Sequence, residues 1–273
     1  MAHITTKDGT KLHVKDWGSG RPVILLHGWP LSADSWDDHA VAIADAGMRA
    51  VSYDRRGFGR SDQPWDGYDY DTLSDDLAAV VESTGSTDCA IIGFSMGGGE
   101  VARYMSRHYG KSVKQAGLIS SVVPYMLKTA DNPDGTDASV FEGMTAGMKK
   151  DRAAFFATFF KSFYGVDVLD KPVSDEVLEW SRAVSMSAGL RPTLACAQAF
   201  ATTDFRPDLQ AFRVPTLIVH GSEDKTVPIK ASAHAAAAGI SQAQFIEYEG
   251  APHGLLATHK EKFREDLLGF LGG

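Results

Sequence analysis

The stretch DCAIIGFSMGGGE, residues 88–100, decides the fold. An apolar run without alternation, Asp88 to Phe94, enters a serine and leaves into a helix-compatible segment of roughly 96–108. A run of that kind fits a strand buried on both faces. The turn between them is Gly93-Phe94-Ser95-Met96-Gly97, a G-x-S-x-G motif. A serine at a sharp strand-to-helix turn is forced to positive φ, and its neighbours two positions away crowd until only hydrogen fits there. Ser95 Oγ then stands above the sheet edge, with the positive end of a helix below it. Five residues with three fixed are weak by themselves. The strand before and the helix after are the context the chemistry requires. Gly98 and Gly99 each cost the helix about 1 kcal/mol relative to alanine, so close packing is expected there.

Outward from this turn, strands and helices alternate. His3–Thr6 and Leu12–Trp17 flank Asp8-Gly9, a hairpin signal. Strands are expected at 22–28, 49–54, 88–94, 114–121, 215–221 and 244–250. Helices are expected near 35–46, 72–82, 96–108, 229–238 and 256–271, with Thr72 and Asp75 as a weak capping box. Such alternation implies right-handed crossovers and a mostly parallel α/β sheet. The rhythm breaks over 122–212, where an aromatic helical run carries Phe155, Phe156, Phe159, Phe160, Phe163 and Tyr164. That segment reads as a helical cap inserted into a core made of 1–121 and 213–273.

A nucleophilic serine needs a base and an acid. The loop after strand 215–221 offers Glu223 and Asp224, and the loop after strand 244–250 offers His253. Both follow strand C-termini, where α/β sheets place their sites. Ser95, Asp224 and His253 stand in the chain order nucleophile, acid, histidine. Of the other eight histidines, His27 and His220 end strands and can approach the site, but each reads more simply as a structural group. Asp54 precedes two arginines and reads as an organiser of that turn.

Charge developing on a tetrahedral oxygen needs backbone donors. The amide of Met96, after the nucleophile, is one. The amide of Trp29, in the HGWP loop after strand 22–28, is the other. Pro30 lacks a donor and restricts Trp29 to an extended conformation. Phe94, Val122, Val123, Tyr125, Phe141, Phe159, Phe163 and Val227, with Trp29 and Pro30, are candidates for a compact apolar acyl pocket.

Composition bounds the partners. The chain has 273 residues, with 27 Lys and Arg against 35 Asp and Glu, a formal charge of −8. With no long basic run, that balance argues against nucleic acid and anionic membranes. No stretch approaches 18 apolar residues, so no membrane span is expected. Cys89 and Cys196 match no zinc or C-x-x-C spacing, and no metal site is expected. Their scarcity and the polar N-terminus favour a cytoplasmic setting.

The combination HGWP (27–30), YDRRGFGRSD (53–62), GFSMGGGE (93–100), GSEDKTVP (221–228) and APHG (251–254) resembles the cofactor-free bacterial haloperoxidases, also called non-heme chloroperoxidases, perhydrolases or aryl esterases. The resemblance covers nearly the whole chain. It implies an α/β-hydrolase fold with a mostly parallel eight-stranded sheet and a helical cap. By position, it puts the triad on Ser95, Asp224 and His253 and the oxyanion amides on Trp29 and Met96. It implies no heme, metal or flavin. An ester or short carboxylic acid would acylate Ser95, water would give a carboxylate, and hydrogen peroxide would give a peracid that oxidises halide away from the enzyme. Pro30 tilts the resemblance toward perhydrolysis, since esterase-leaning members often carry leucine there. An ordinary carboxylesterase or γ-lactamase is the main alternative, and a catalytically silent binding protein a remote one. HGWP also occurs in epoxide hydrolases, but those need an aspartate where this chain has Ser95. Relatives assemble as dimers, trimers or hexamers, which leaves the oligomeric state open.

Overall fold

The structure is a computed structural model that describes residues 2–272. One eight-stranded sheet organises the chain: β1 (Ala2–Thr5), β2 (Lys11–Gly18), β3 (Pro22–Leu26), β4 (Arg49–Tyr53), β5 (Cys89–Phe94), β6 (Val113–Ile119), β7 (Thr216–Gly221) and β8 (Ala243–Tyr248). Their spatial order is β1-β2-β4-β3-β5-β6-β7-β8. The Asp8-Gly9 turn makes β1 and β2 an antiparallel hairpin, and β2 joins β4 antiparallel. From β4 onward every pairing is parallel. Every residue of β3, β5 and β7 is buried, as their unalternating apolar sequence demands.

The helices of the sheet layers are α1 (Asp37–Asp45), α2 (Tyr70–Ser83) and α3 (Met96–Arg107). The chain steps from β3 outward to β4, then returns past β3 to β5. Right-handed crossovers in opposite directions put α1 and α2 on opposite faces of the sheet. Leu73, Leu77, Val80 and Val81 of α2 are buried, about 2 kcal/mol each by area. The capping box expected at Thr72 and Asp75 is not the cap that forms. The helix starts two residues earlier, and Asp69 is its N-cap, with the Thr72 N–H donating to Asp69 Oδ1 at 2.9 Å.

Between β6 and β7 the chain builds α4 (Ala138–Phe163), α5 (Asp175–Ser187) and α6 (Leu190–Thr202), the inserted helical cap. Asp151, at φ −159°, breaks α4 into two helical pieces. After β7 a short π-helical turn, Lys230–His234, leads into α7 (Ala235–Gly239), so the expected 229–238 helix is not regular throughout. The closing helix expected at 256–271 is likewise two pieces, α8 (Leu255–Thr258) and α9 (Lys260–Gly272). Among the described residues, no helix is long and apolar enough to cross a membrane.

Pairings such as Leu26 with Gly93, Phe94 with Ile119 and Gly221 with Tyr248 align the C-terminal ends of the parallel strands. The loops after β3, β5, β7 and β8 therefore meet at one edge, where the return from β4 to β5 opens a crevice.

Candidate active site

Ser95 occupies the turn from β5 to α3 with φ 55° and ψ −118°. The sterics expected of its neighbours hold. A Cβ on Gly93 would lie 2.4 Å from the Gly97 carbonyl oxygen, and one on Gly97 would lie 2.6 Å from that of Leu26. Real Cβ atoms do not come that close, so the elbow exists only with hydrogen at both positions. Gly98 and Gly99 are also packed tightly, against Ser121 and against Tyr70 and Phe205. The Ser95 N–H donates to Ile119 O at 2.8 Å, which ties the elbow to β6.

His253, in the loop after β8, places Nε2 2.9 Å from Ser95 Oγ. Its Nδ1 lies 2.6 Å from Asp224 Oδ2, in the loop after β7. The chain separates these groups by 158 and 29 residues, and the parallel strand ends bring them together. Glu223, the competing acid, makes no such contact: its backbone N–H donates to Ala251 O at 3.1 Å. The other Asp224 oxygen, Oδ1, accepts the N–H groups of Thr226 and Val227 at 2.9 and 2.8 Å. Burial alone would push this carboxyl up. The imidazoles of His253 and His220 outweigh it and hold Asp224 well below the usual carboxylate range. Asp224 therefore stays ionised and aimed at Nδ1, and Nε2 is left facing Ser95 as a proton acceptor.

The HGWP loop crosses directly over the elbow. A Cβ on Gly28 would lie 3.0 Å from the Ser95 Cβ and 2.7 Å from Phe94 Cδ1. Among the described residues, neither the Trp29 nor the Met96 N–H donates in the turn, loop and side-chain hydrogen bonds. Both are thus available to a ligand. The Trp29–Pro30 bond is cis, as is Val123–Pro124. The Trp29 side chain is pinned by Nε1 donating to Thr193 O at 3.0 Å, on α6 of the cap.

The ten expected pocket residues do not form one lining. Phe94 and Phe163 flank His253, with ring centroids 5.3 and 4.7 Å from the imidazole. Trp29 packs on Phe159 at 5.4 Å, and Phe141 reaches that group through Phe200. Val122 joins by its N–H, 3.3 Å from Ser95 O. Val123 and Pro30 are buried. Val227 belongs to the Asp224 turn through its backbone. Tyr125 is turned elsewhere: its ring lies under the Arg206 guanidinium, 5.0 Å away. Phe156 and Phe200 were not among the expected lining residues, yet their rings lie 5.8 and 5.5 Å from Trp29. Phe156 had a signal in the aromatic run, whereas Phe200 had none because only the cap fold brings it there.

A cleft of about 800 Å³ is lined in part by Phe94 and Phe163, the two of the ten found among its lining residues. Its lining also carries Lys15, Asp34, Asp37, Arg60 and Lys260. Lys15 is bound to Asp34 and Asp37, Arg60 to Asp54 and Asp34, and Lys260 to Asp38. These charges form a set of closed ion pairs rather than a free cationic patch.

A buried scaffold that no sequence pattern announces lies beneath the site. Arg55 Nε donates to Glu100 Oε1 at 2.6 Å, Tyr53 Oη donates to Glu100 Oε2 at 2.8 Å, and Arg55 Nη2 donates to His27 O at 2.6 Å. Arg55 and Glu100 thus bolt the HGWP loop to α3, the helix that follows Ser95. Asp54 organises its turn as expected, accepting the N–H groups of Ala33 and Arg60 at 2.9 and 2.8 Å. Cys89 and Cys196 are buried free thiols, and burial pushes them up to about 11 and about 12. Among the described residues, no group of three or more His, Cys, Asp or Glu could hold a metal ion.

The fold and this arrangement agree with what the chain is similar to. The family described as alpha/beta hydrolase fold matches residues 21–260. A non-heme chloroperoxidase, CPO-A1, from Kitasatospora aureofaciens is 40% identical, with 99% of each chain covered. A bifunctional esterase/perhydrolase, DCH, from Acinetobacter calcoaceticus is 42% identical, again with 99% of each covered. A crystal structure of a bromoperoxidase from Bacillus anthracis superposes with a TM-score of 0.96 at 40% identity, covering 100% of this chain and 99% of that one. The chain belongs to the non-heme haloperoxidase/esterase branch of the α/β-hydrolase superfamily. Its activity is of the serine-hydrolase type that this branch carries, esterase and haloperoxidase.

Proposed function

We propose that Ser95, His253 and Asp224 are the catalytic triad of an acyl transferase acting on small esters or short carboxylic acids, with water or hydrogen peroxide as acceptor. The observation that carries this reading is the unbroken line Ser95 Oγ, His253 Nε2, His253 Nδ1, Asp224 Oδ2 at 2.9 and 2.6 Å. Ser95 Oγ attacks the acyl carbon and its proton passes to His253 Nε2. The carbonyl oxygen takes the negative charge under the Trp29 and Met96 amides. His253 returns the proton to the departing alcohol, or to hydroxide when the donor is an acid. Water or hydrogen peroxide then attacks the acyl carbon and gives its proton to Nε2, and Ser95 Oγ leaves and recovers it. Water yields a carboxylic acid. Peroxide yields a peracid, which oxidises halide in solution. The aromatic group of Trp29, Phe141, Phe156, Phe159 and Phe200 suits a small apolar acyl chain, and residues 122–212 act as its cap.

The test is hydrolysis of p-nitrophenyl acetate by wild type and Ser95→Ala, followed by acetate with hydrogen peroxide and a peracid-trapping dye. We expect both activities to fall by roughly 10³-fold or more in the variant. Equal rates in wild type and variant would remove Ser95 from the reaction. Ester hydrolysis without any peroxide-dependent product would leave an ordinary carboxylesterase. Both sit on this chemistry. The reading gains from the bifunctional esterase/perhydrolase that is 42% identical to this chain.

A further inference from the structure

His220 is the last residue but one of β7 and is fully buried. Its Nε2 lies 3.0 Å from the carbonyl oxygen of Val227 and 3.1 Å from Asp224 Oδ2. Both neighbours are acceptors, so Nε2 must carry a proton. That N–H serves the acid in two ways. It donates to Val227 O and so closes the turn whose Thr226 and Val227 amides grip Asp224 Oδ1. Its positive edge also faces the same carboxylate oxygen that receives His253 Nδ1. The opposite ring atom, Nδ1, is buried and has no hydrogen-bond partner among the described residues. A histidine kept only for packing would be better replaced by an apolar ring, because a buried unpaired nitrogen is costly. The polar edge in use is the one that faces the acid.

We propose that His220 is a positioning residue of the acid, setting through its Nε2–H both the 224–227 turn and the direction in which Asp224 Oδ2 meets His253. The inference rests on the triad reading given above. His220 touches neither Ser95 nor His253 in the hydrogen-bond network, so it acts through Asp224. Oδ1 is held by backbone and Oδ2 by two imidazoles. Removing His220 leaves the carboxylate charged, with Oδ2 held by His253 alone and the 224–227 turn no longer closed through Val227 O.

The test compares wild type, His220→Leu, His220→Gln, Asp224→Asn and the double variant His220→Leu/Asp224→Asn on p-nitrophenyl acetate. A hydrogen bond that matters to a buried charge corresponds to about 10- to 100-fold in rate. We expect His220→Leu to lose that much in kcat while KM stays within about twofold. His220→Gln, whose amide Nε2 can donate in the same place, should recover most of the loss. In the Asp224→Asn background the His220→Leu change should cost nothing more, because its route is already cut. Unchanged kcat in His220→Leu, or losses that multiply in the double variant, would overturn the proposal. Full activity in Asp224→Asn would instead sink the triad reading itself. Should His220→Leu fail to fold, imidazole ¹⁵N spectra of the wild-type protein decide. A proton on Nε2 of His220 upholds the proposal, and a proton on Nδ1 alone ends it.

Discussion

His27 Nδ1 lies 3.0 Å from the carbonyl oxygen of Gly28, the carbonyl of the peptide unit whose N–H belongs to Trp29. The ring's other nitrogen accepts the Arg55 N–H at 3.0 Å, so Nδ1 is the protonated one and donates. The Leu31 N–H reaches the same carbonyl at 3.0 Å. Two donors on the oxygen fix the peptide plane, and the plane fixes where the Trp29 N–H points. Burial and the Arg55 guanidinium push His27 down to about 3, so the ring keeps this tautomer through ordinary pH. His27→Leu should lower kcat on p-nitrophenyl acetate by roughly 10- to 100-fold with little change in KM, as expected when a transition-state donor is misaimed. His27→Asn, whose Nδ2 can donate to the same carbonyl, should lose less. Equal losses in the two variants would mean that His27 holds the loop by bulk alone.

Gly28 gives a sharper probe of the same loop. An alanine there puts a methyl 2.7 Å from Phe94 and 3.0 Å from the Ser95 Cβ, so loop and elbow must part. A donor moved by even 1 Å loses most of its value to the oxyanion. We expect Gly28→Ala to cost roughly 10²-fold in kcat, with a melting temperature that falls far less steeply than activity. Steady-state kinetics beside a thermal melt separates the two, and an active Gly28→Ala would place the oxyanion donors elsewhere.

What the sequence could disclose follows from the range of the forces involved. The elbow and the strand ends are local patterns fixed by backbone sterics, and the structure reproduces them; it also brings Ser95, His253 and Asp224 within 2.9 and 2.6 Å of one another in turn. The α2 cap was misplaced because an Asp-x-x-Thr pair and a Thr-x-x-Asp pair overlap at 69–75, and side-chain geometry chooses Asp69. Phe200 and the Arg55–Glu100 pair carry no local signal, for a different reason. Each owes its role to a neighbour distant in sequence: Arg55 Nε and Glu100 Oε1, 45 residues apart, meet at 2.6 Å, and Phe200 meets Trp29 edge-on. The charged lining of the cleft beside Phe94 is illegible for the same reason, since Lys15, Asp34 and Arg60 share no local pattern.

The Arg55–Glu100 pair predicts a stability effect with a functional echo. Both side chains are about 1% exposed, so neither charge has water to fall back on. Removing one partner of a buried pair costs about 3–5 kcal/mol, because the other is left uncompensated. Glu100→Ala should therefore lower the melting temperature by roughly 10 °C for a chain of this size. Arg55 also holds His27 O at 2.6 Å, so the surviving folded protein should be slower in kcat as well. Replacing both by apolar residues, Arg55→Met with Glu100→Leu, should regain stability without regaining activity. Denaturant unfolding on the single and double variants checks the first part. Recovery of full turnover in the double variant would show that the pair matters to folding only.

His39 makes the stability of the protein sensitive to acid. The ring is buried on α1, with Nε2 3.1 Å from Leu256 O on α8 and Nδ1 without a hydrogen-bond partner among the described residues. Burial pushes it down from 6.5 to about 4, against the opposing pull of the Leu256 carbonyl. Its folded pKa thus lies below its unfolded one, so between those values the unfolded chain binds a proton that the folded chain refuses. Stability then falls as pH drops from about 6.5 toward 4, by about 1.4 kcal/mol per unit, and this contribution levels off below. The whole window is worth about 3 kcal/mol. His27, pushed down to about 3, adds to the same slope and extends it lower. Neither group contributes any slope above about pH 7. His39→Gln keeps a donor for Leu256 O and removes the titration. Urea unfolding at several pH values between 7 and 4 should give a slope shallower by about one proton in the variant than in wild type. Parallel curves would mean that the His39 ring takes up its proton inside the folded protein at no cost, and that the α1–α8 contact opens locally to let it.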